Sequence, residues 1–229
     1  MGGISIYHVV VRCDGSWAHD LVDDDERRRS ERYVRAEDRV RFVVGAALVR
    51  LAVGARLGLP PSEVEVDRTC AGCGSDHGRP LLRGTSLTCS LSHSGAHVAL
   101  ALADSGAVGL DLEDAGRRVE YWQDLLGQVV GGVEPRPISR DGFLRIWTRK
   151  EALLKLSGEG LRRQMSSLAL SFQSSRQGRG EEHGESAPLV GPGALKGAVV
   201  RDLDLGDGVH CAVAAYGPPR VVALTTLEA

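Results

Sequence analysis

The sequence lacks any long hydrophobic run. Its most apolar segment, Phe42 to Val49, is ended by Arg50, whereas a membrane-spanning helix needs about 18 or more consecutive apolar residues. The N-terminus also lacks a basic region followed by an apolar core, so no secretory signal is expected. These absences argue against a membrane-spanning helix and predict a cytoplasmic protein that does not associate with a membrane.

The chain is also poor in cysteine and has no excess of positive charge. Its five cysteines are an odd number in a chain of 229 residues. A chain of this length can bury a core without disulfide bonds, so reduced thiols are expected. A net charge of −2 argues against general nucleic-acid binding, which would require a basic excess.

Lysine is the scarcest charged residue, because only three of the 28 cationic side chains are lysines. Two of them, Lys150 and Lys155, lie in one segment, residues 147–155, with the sequence W-T-R-K-E-A-L-L-K. Since the chain otherwise uses arginine, this pair indicates a requirement for a compact ammonium rather than a planar guanidinium. The alternative is that both are ordinary surface lysines on a helix.

The order of the predicted elements indicates the fold class. Apolar, β-branched segments predict strands at residues 4–11, 64–66, 87–91, 98–102, 108–113, 168–172, 199–203, 209–215 and 221–225. One long helix is predicted from Glu37 to its stop at Gly58, and another from Phe143 to Leu156, closed by Gly158, because glycine commonly follows the end of a helix. Each half of the chain thus offers strands and a long helix, which predicts an α+β protein.

This pattern predicts two similar lobes in a pseudo-dimeric arrangement. Each lobe would have a small sheet and a long helix, and the active site would lie in the cleft between them. The N-terminal lobe is expected to span residues 1–107 and the C-terminal lobe residues 108–229. Residues 174–193 are rich in Gly, Ser, Glu and Arg and poor in apolar side chains, which predicts a mobile loop.

Two segments carry side chains suited to phosphate chemistry. In a strand, Asp111 and Glu113 point to the same side. In a helix, Trp147, Glu151 and Lys155 form one row, four residues apart. Taken singly, each motif is also typical of a solvent-facing strand edge or an exposed helix. Together, three carboxylates and an ammonium predict a site for a divalent cation and a phosphate.

Three motifs in order give the sequence a family resemblance. Ser92-His93-Ser94-Gly95, Gly109-Leu110-Asp111-Leu112-Glu113 and the segment 147–155 resemble the motifs of 4′-phosphopantetheinyl transferases, specifically the monomeric Sfp type. The resemblance covers most of the chain. It implies an enzyme that moves the 4′-phosphopantetheine group of coenzyme A to a serine hydroxyl of an acyl- or peptidyl-carrier protein. The reaction would need Mg²⁺ and release adenosine 3′,5′-bisphosphate.

The resemblance also implies roles for individual residues. Asp111, Glu113 and Glu151 would be the Mg²⁺ ligands. The residues expected at coenzyme A are Arg41, Arg79, Ser92, His93, Lys150 and Lys155. Among these, Lys155 would bind the pyrophosphate, and His93 would donate to a phosphate oxygen. The serine proton would pass either to Glu151 or to a metal-bound water, between which the sequence does not choose.

Other arginines are assigned less specifically. Arg79 stands in a His77-Gly78-Arg79-Pro80 segment that resembles the family's G-K-P segment, with arginine in place of lysine. Arg29, like Arg41, resembles a position that reaches the 3′-phosphate, or is simply a solvated helix residue. Carrier proteins are acidic around their serine, and arginines that would complement such a surface are Arg117, Arg118, Arg136, Arg140, Arg162 and Arg163.

Cys70, Cys73 and His77 form a separate candidate site. Three potential soft ligands within eight residues suggest zinc, and Cys13 or Cys89 would have to supply a fourth ligand. The alternative is a turn packed beside the nucleotide. Two other functions also stay open: a non-catalytic binder of coenzyme A or a carrier protein with the same fold, and a zinc-stabilised interaction module.

Overall fold

The computed structural model describes residues 2–12, 14–70, 72–116, 121–160, 163–172, 185–190, 195–206 and 208–228. The chain forms two units, one made of Met1–Gly106 and Val221–Ala229 and the other of Ala107–Arg220. Both units combine a sheet with a long helix, so the predicted α+β class is confirmed. None of the helices formed by the described residues combines the length and apolar character needed to cross a bilayer.

The described part of the first unit has a four-stranded sheet, a two-stranded sheet and two α-helices. Its strands are β1 (Ile4–Val10), β2 (Val66–Asp67), β3 (Leu81–Leu82), β4 (Thr88–Ser94), β5 (His97–Ala103) and β11 (Val221–Glu228). Its helices are α1 (Asp24–Ser30) and α2 (Ala36–Leu57), and short 3-10 helices span Ser16–Leu21 and Pro61–Glu63. The large sheet has the strand order β11-β1-β5-β4, and β2 pairs with β3.

Helix α2 supplies much of the first unit's core. Its apolar residues pack with side chains of β1, β4 and β5, and the helix ends at Gly58, which has a left-handed φ of 70°. Arg50 is a charged residue within this core, only 3% exposed. Its guanidinium donates to Glu26 at 2.7 Å and to the Val64 carbonyl at 3.0 Å, which offsets the cost of burying the charge and ties α1 to α2.

The last strand corrects the predicted boundary between the lobes. Strand β11 pairs in parallel with β1, with Ile6 opposite Leu224, and therefore belongs to the first unit. The prediction that residues 108–229 form one C-terminal lobe is wrong for this strand. The reason is that β1 offers a free edge to the end of the chain, and such a long-range pairing leaves no local trace in the sequence.

In its described residues, the second unit has a five-stranded sheet and two α-helices. Its strands are β6 (Val108–Asp114), β7 (Ala169–Phe172), β8 (Glu185–Val190), β9 (Ala198–Leu203) and β10 (Val209–Tyr216), in the order β6-β10-β9-β8-β7. Its helices are α3 (Trp122–Val129) and α4 (Arg140–Ser157), with a 3-10 helix at Met165–Ser167. The Ser139 side chain caps the start of α4, and Gly158 follows its end, as predicted.

Strand β8 corrects the predicted loop. Residues 185–190 form a sheet strand that pairs with β7 and β9, for example Ser186 with Val200. The rest of the predicted loop, residues 174–184 and 191–193, lies outside the described residues. Polar composition favoured a loop, but backbone hydrogen bonds to two neighbouring strands determine the conformation of residues 185–190.

Candidate active site

Gly109 lets helix α4 lie directly on strand β6. A Cβ atom at Gly109 would lie 2.6 Å from the Leu156 backbone nitrogen and closer still to the Ala152 carbonyl oxygen. Only a residue without a side chain fits under the helix backbone here. Because alternate strand residues share a face, Asp111 and Glu113 lie on the same side as Gly109, the side that α4 covers.

Lys155 and Asp111 join the helix to the strand. The Lys155 ammonium donates to Asp111 Oδ1 at 2.8 Å. Asp111 is buried, whereas the Lys155 side chain keeps 29% of its surface exposed. The helix motif and the strand motif therefore meet through a charge-assisted hydrogen bond, with the lysine still accessible from solvent.

Glu151 shares the electrostatic environment of this pair. Its pKa is raised to about 6, chiefly by burial and also by the negative charges of Asp111 and Glu113, against the opposing effect of the Lys155 ammonium. Three carboxylates thus act on one another with a single lysine among them. Hard oxygen ligands with an excess of negative charge suit a divalent cation such as Mg²⁺, so these residues fit the predicted metal.

The three carboxylates do not yet form a closed ligand set. Among the described residues, a single group of three potential ligands has all its ligand atoms within 4.8 Å of one another, and that group is Cys70, Cys73 and His77. The structure brings the predicted Mg²⁺ ligands to one face of β6 and α4, and one of them, Asp111, is hydrogen-bonded to Lys155.

The predicted role of Lys150 at coenzyme A is wrong in this structure. Lys150 is 0% exposed, and its ammonium donates to Glu134 Oε2 at 2.5 Å and to the Val129 carbonyl at 2.6 Å. A third acceptor is the Met165 carbonyl, at 3.3 Å. Three acceptors converge on an ammonium buried inside the second unit, so this lysine stabilises the fold and presents no surface to a ligand.

Arg149 likewise has a structural role within the same motif. It is 2% exposed, and its Nε and Nη2 atoms each donate to the Asp202 carboxylate at 2.7 Å. This bidentate pair links α4 to β9. Trp147 is half-buried and packs against Phe143, with ring centroids 6.0 Å apart. Of the motif's polar residues, Glu151 and Lys155 are those left for chemistry.

In the first unit, the S-H-S-G motif ends strand β4. Ser92 is buried and His93 is exposed, as expected for neighbours in a strand. Arg41, near the start of α2, donates to the carbonyl of Gly95 at 2.7 Å and also forms an ion pair with Asp38. The predicted coenzyme residue Arg41 is therefore held beside the turn that follows His93.

Arg68 is a candidate that the sequence did not single out. Its Nε atom is buried and finds no hydrogen-bond acceptor among the described residues. Burial lowers the pKa of the guanidinium, and the positive charge of Arg29 lowers it further. A half-buried arginine next to another cation favours an anionic ligand. No local pattern distinguishes Arg68 from the many other arginines in the sequence.

Two further predicted coenzyme arginines lie in the same unit as Arg68. Arg29 stacks on the Phe42 ring, 5.2 Å from its centroid, and lies 3.8 Å from an Asp76 carboxylate oxygen. Arg79 is exposed and lies close enough to Cys89 for its charge to favour that residue's thiolate. Arg29 is thus already part of a local network, whereas Arg79 is accessible to a ligand.

The arginines predicted to face a carrier protein differ in their placement. Arg136 is exposed, Arg140 donates to the Ala115 carbonyl at 2.5 Å, and Arg163 pairs with Glu159 at 3.2 Å. Arg117, Arg118 and Arg162 lie outside the described residues. The four cysteines that the structure describes, at positions 70, 73, 89 and 211, form no disulfide bond with one another, while Cys13 lies outside the described part.

Comparison with known proteins gives matches in both units. Residues 12–105 match the family model described as "4'-phosphopantetheinyl transferase, N-terminal", and residues 107–206 match "4'-phosphopantetheinyl transferase superfamily". The chain is 38% identical over 91 residues to 4'-phosphopantetheinyl transferase AcpT of Salmonella typhi, covering 36% of this chain and 47% of that protein.

Longer matches are less identical. The chain is 28% identical over 181 residues to 4'-phosphopantetheinyl transferase psf-1 of Bacillus pumilus, covering 74% of this chain and 72% of that protein. It is 29% identical over 151 residues to 4'-phosphopantetheinyl transferase HetI of Nostoc sp., covering 61% of each. The chain spans about half the length of the AcpT relatives that it matches.

Proposed function

Because this chain belongs to the 4′-phosphopantetheinyl transferase superfamily, we propose that it transfers 4′-phosphopantetheine from coenzyme A to a serine hydroxyl of an apo acyl- or peptidyl-carrier protein. Adenosine 3′,5′-bisphosphate is the second product. The observation that carries this proposal is the cluster of Asp111, Glu113, Glu151 and Lys155 on one face of β6 and α4. We further propose that the enzyme works as a monomer in the cytoplasm.

The acidic residues of the second unit are the proposed metal ligands. Asp111, Glu113 and Glu151 would hold a Mg²⁺ ion, which when bound would offset the negative charge of the pyrophosphate and of the departing adenosine 3′,5′-bisphosphate. The attacking serine belongs to the carrier protein. The enzyme therefore contributes mainly by positioning the reactants and stabilising charge. Three carboxylates on a rigid strand–helix pair meet this requirement.

Lys155 and Glu151 have complementary parts in the proposed reaction. The Lys155 ammonium, a compact charge that is still accessible to solvent, would bind a pyrophosphate oxygen. The carboxylate of Glu151 is the proposed acceptor of the serine proton. Its pKa of about 6 without a bound metal ion leaves the carboxylate mostly ionised at neutral pH, as an acceptor of a proton must be.

Coenzyme A phosphates are assigned to cationic and polar residues of the first unit. His93 is exposed, and its ring would donate to a phosphate oxygen, with Ser92 next to it in β4. Arg41 and Arg79 keep their proposed roles, and Arg68 is added because its buried Nε lacks an acceptor among the described residues. Arginine suits such sites because its planar fork matches phosphate oxygens.

A mass measurement tests the proposal directly. The protein is incubated with coenzyme A, Mg²⁺ and a panel of apo carrier proteins from fatty-acid, polyketide and nonribosomal-peptide systems. A carrier that gains the mass of one phosphopantetheine arm, but not when its acceptor serine is replaced by alanine, supports the transfer. If no carrier gains mass although the protein binds coenzyme A, the chain is a non-catalytic binder and the proposed function is wrong.

A further inference from the structure

Cys70, Cys73 and His77 come together on a loop that the proposed reaction does not use. Their ligand atoms, the two Sγ atoms and a ring nitrogen, all lie within 4.8 Å of one another. The loop consists of residues 68–70 and 72–80 between β2 and β3, and is called the cysteine loop below. Two thiols and an imidazole in one place are soft and borderline ligands. Such ligands bind zinc in preference to magnesium or calcium.

We propose that Cys70, Cys73 and His77 bind one zinc ion and that a water molecule completes the tetrahedron. Zinc lies about 2.3 Å from sulfur and about 2.0 Å from a histidine nitrogen, so its ligand atoms are roughly 3.5–3.8 Å apart. The observed limit of 4.8 Å includes this spacing. Cys73 Sγ and His77 Nε2 are 2.9 Å apart, so a shift of under about 1 Å would admit the metal.

The backbone of the cysteine loop already holds the ligands in a tight turn. The amide of Gly74 donates to the Cys70 carbonyl at 2.8 Å, and the amide of Cys70 donates to the Ser75 carbonyl at 2.7 Å. Gly74 has a φ of 74°, a left-handed conformation that glycine adopts without strain. The turn directs the side chains of Cys70 and Cys73 to the same point without a metal having to organise it.

A second close approach fixes the histidine end of the loop. The amide of Gly78 donates to the Arg68 carbonyl at 2.7 Å, and a Cβ at Gly78 would lie 2.8 Å from the carbonyl oxygens of Arg68 and Thr69. His77 is therefore held next to a chain crossing that only glycine permits. This crossing brings a residue four positions after Cys73 back to the two thiols.

Among the described residues near the cysteine loop, Cys89 and Asp76 are poor candidates for the fourth ligand. Cys89 is buried in strand β4, its Sγ lies 4.0 Å from the Pro80 carbonyl, and burial raises the pKa of its thiol to about 11. Asp76 is paired with Arg32 at 2.8 Å and with Arg29 at 3.8 Å. Cys73 and His77 are exposed, so a water molecule can reach the fourth position.

Zinc at this position would brace the cysteine loop. The loop begins with Arg68 and contains Arg79, and it has little regular structure besides the two-residue strands at its ends. Crosslinking Cys70 to His77 through a metal removes conformational freedom from the segment that carries both arginines. The metal site does not depend on the proposed transferase activity, because its ligands and its measurements are separate from the reaction.

Metal stoichiometry is the first measurement. The full chain is stripped with a chelator under reducing conditions, loaded with Zn²⁺, passed through a desalting column and analysed for metal. The variants Cys73→Ser and His77→Ala each remove one ligand. Matched controls are Cys89→Ala, a cysteine outside the group, and His19→Ala, an exposed histidine elsewhere in the first unit. Circular dichroism verifies that every variant is folded.

Cobalt supplies a spectroscopic signature of the ligands. The same stripped chain is loaded with Co²⁺, and thiolate-to-cobalt charge transfer and tetrahedral d–d absorption are recorded. One equivalent of zinc and both absorptions in the wild type and the two controls, with their loss in Cys73→Ser and His77→Ala, support the site. A folded wild-type chain that retains no zinc, or folded ligand variants that retain a full equivalent, would overturn it.

Hydrogen exchange tests whether the metal braces the loop. Amide exchange of peptides covering the cysteine loop is compared with and without Zn²⁺ in the wild type and in Cys73→Ser. Slower exchange with zinc in the wild type alone supports the proposed bracing. Equal exchange in the zinc-loaded and zinc-free wild type would contradict it, even where the metal is retained.

Discussion

The ammonium of Lys155 lies 2.8 Å from Oδ1 of Asp111, joining helix α4 to strand β6 at residues 44 positions apart. This bond links the proposed phosphate-binding cation to a proposed metal ligand. Because Asp111 is buried and Lys155 is partly exposed, the lysine is the member of the pair that can turn toward a substrate. The strand and the helix thus present their charged groups as one unit.

Replacement of Lys155 by alanine is expected to lower turnover roughly 10²–10³-fold, as for the loss of one oriented charge-stabilising donor. The lysine is 29% exposed, so the fold should survive. Turnover is measured with an apo carrier protein and folding by circular dichroism. The matched control is Lys196→Ala, which removes an exposed lysine of the same unit. Turnover of the Lys155 variant within a few-fold of wild type would mean that the phosphate assignment is wrong.

Replacement of Glu151 by glutamine is expected to weaken activation by Mg²⁺. The substitution removes one negative charge from a set of three carboxylates but keeps the side chain's shape. The Mg²⁺ concentration for half-maximal activity should rise roughly tenfold or more, because a unit charge at ligand distance contributes a few kcal/mol. Glu37→Gln, at an exposed position of α2, is the control. Superimposable Mg²⁺ titrations for the two variants would argue against a metal role for Glu151.

Replacement of Gly109 by alanine is expected to lower the free energy of unfolding by about 1–3 kcal/mol or more. The added Cβ would collide with backbone atoms of Ala152 and Leu156, which cannot move without shifting α4. Activity should fall as well, because the shift separates Lys155 from Asp111. Urea denaturation gives the stability change.

Gly127→Ala is a control that makes the same substitution at another position of the second unit, and it is expected to raise rather than lower the free energy of unfolding. Gly127 lies in helix α3, and its added Cβ would meet nothing within 4 Å. Alanine is the better helix former by about 0.5–1 kcal/mol, so this variant should be stabilised. If the two glycine variants change stability equally, close packing of α4 on β6 is not what requires glycine at position 109.

The sequence predicts the two long helices well because their determinants are local. Apolar spacing and the glycines at positions 58 and 158 define α2 and α4, and both are observed. Strands β8 and β11 depend instead on distant partners, β9 and β1. Composition therefore predicted a loop at β8, and position in the chain predicted the wrong lobe for β11. Pairing energy between remote strands is not encoded in either segment alone.

The candidate site shows the same division between local and remote determinants. The spacing of Asp111, Glu151 and Lys155 placed them on facing sides of a strand and a helix, and the structure brings Asp111 and Lys155 into contact. Lys150 has the same local context as Lys155, but three acceptors from other segments bury it. Arg68 was missed because its burial depends on the folded loop around it.

Replacement of Lys150 by methionine is expected to lower stability by about 3–5 kcal/mol, since it leaves the buried carboxylate of Glu134 without its cation. Adding Glu134→Gln should restore part of this loss by removing the uncompensated charge, but only part, because the single amide oxygen of glutamine can accept from one of the two amides, Gly131 or Leu170, that donate to separate oxygens of Glu134. Urea denaturation of the single and double variants measures both effects.

In the folded fraction of the Lys150 variant, KM for coenzyme A should stay within a few-fold of wild type. A selective rise in KM with unchanged stability would return Lys150 to the coenzyme site.

Protonation of His8 is expected to destabilise the protein in mild acid. His8 is 1% exposed, its Nε2 lies 3.0 Å from His97 Nδ1, and burial, followed by the charge of His97, lowers its pKa from 6.5 to about 4. The unfolded chain binds this proton more readily than the folded chain does. The stabilising contribution of neutral His8 is therefore fully present above pH 6.5 and is lost as the pH falls toward 4. The shift corresponds to a loss of about 2 kcal/mol in the free energy of unfolding between pH 7 and pH 5.

Urea denaturation at both pH values should show a smaller loss of stability in His8→Gln than in wild type. The control His19→Gln alters an exposed histidine and should retain the wild-type loss. An equal loss in all three proteins would mean that His8 is not responsible for the pH dependence.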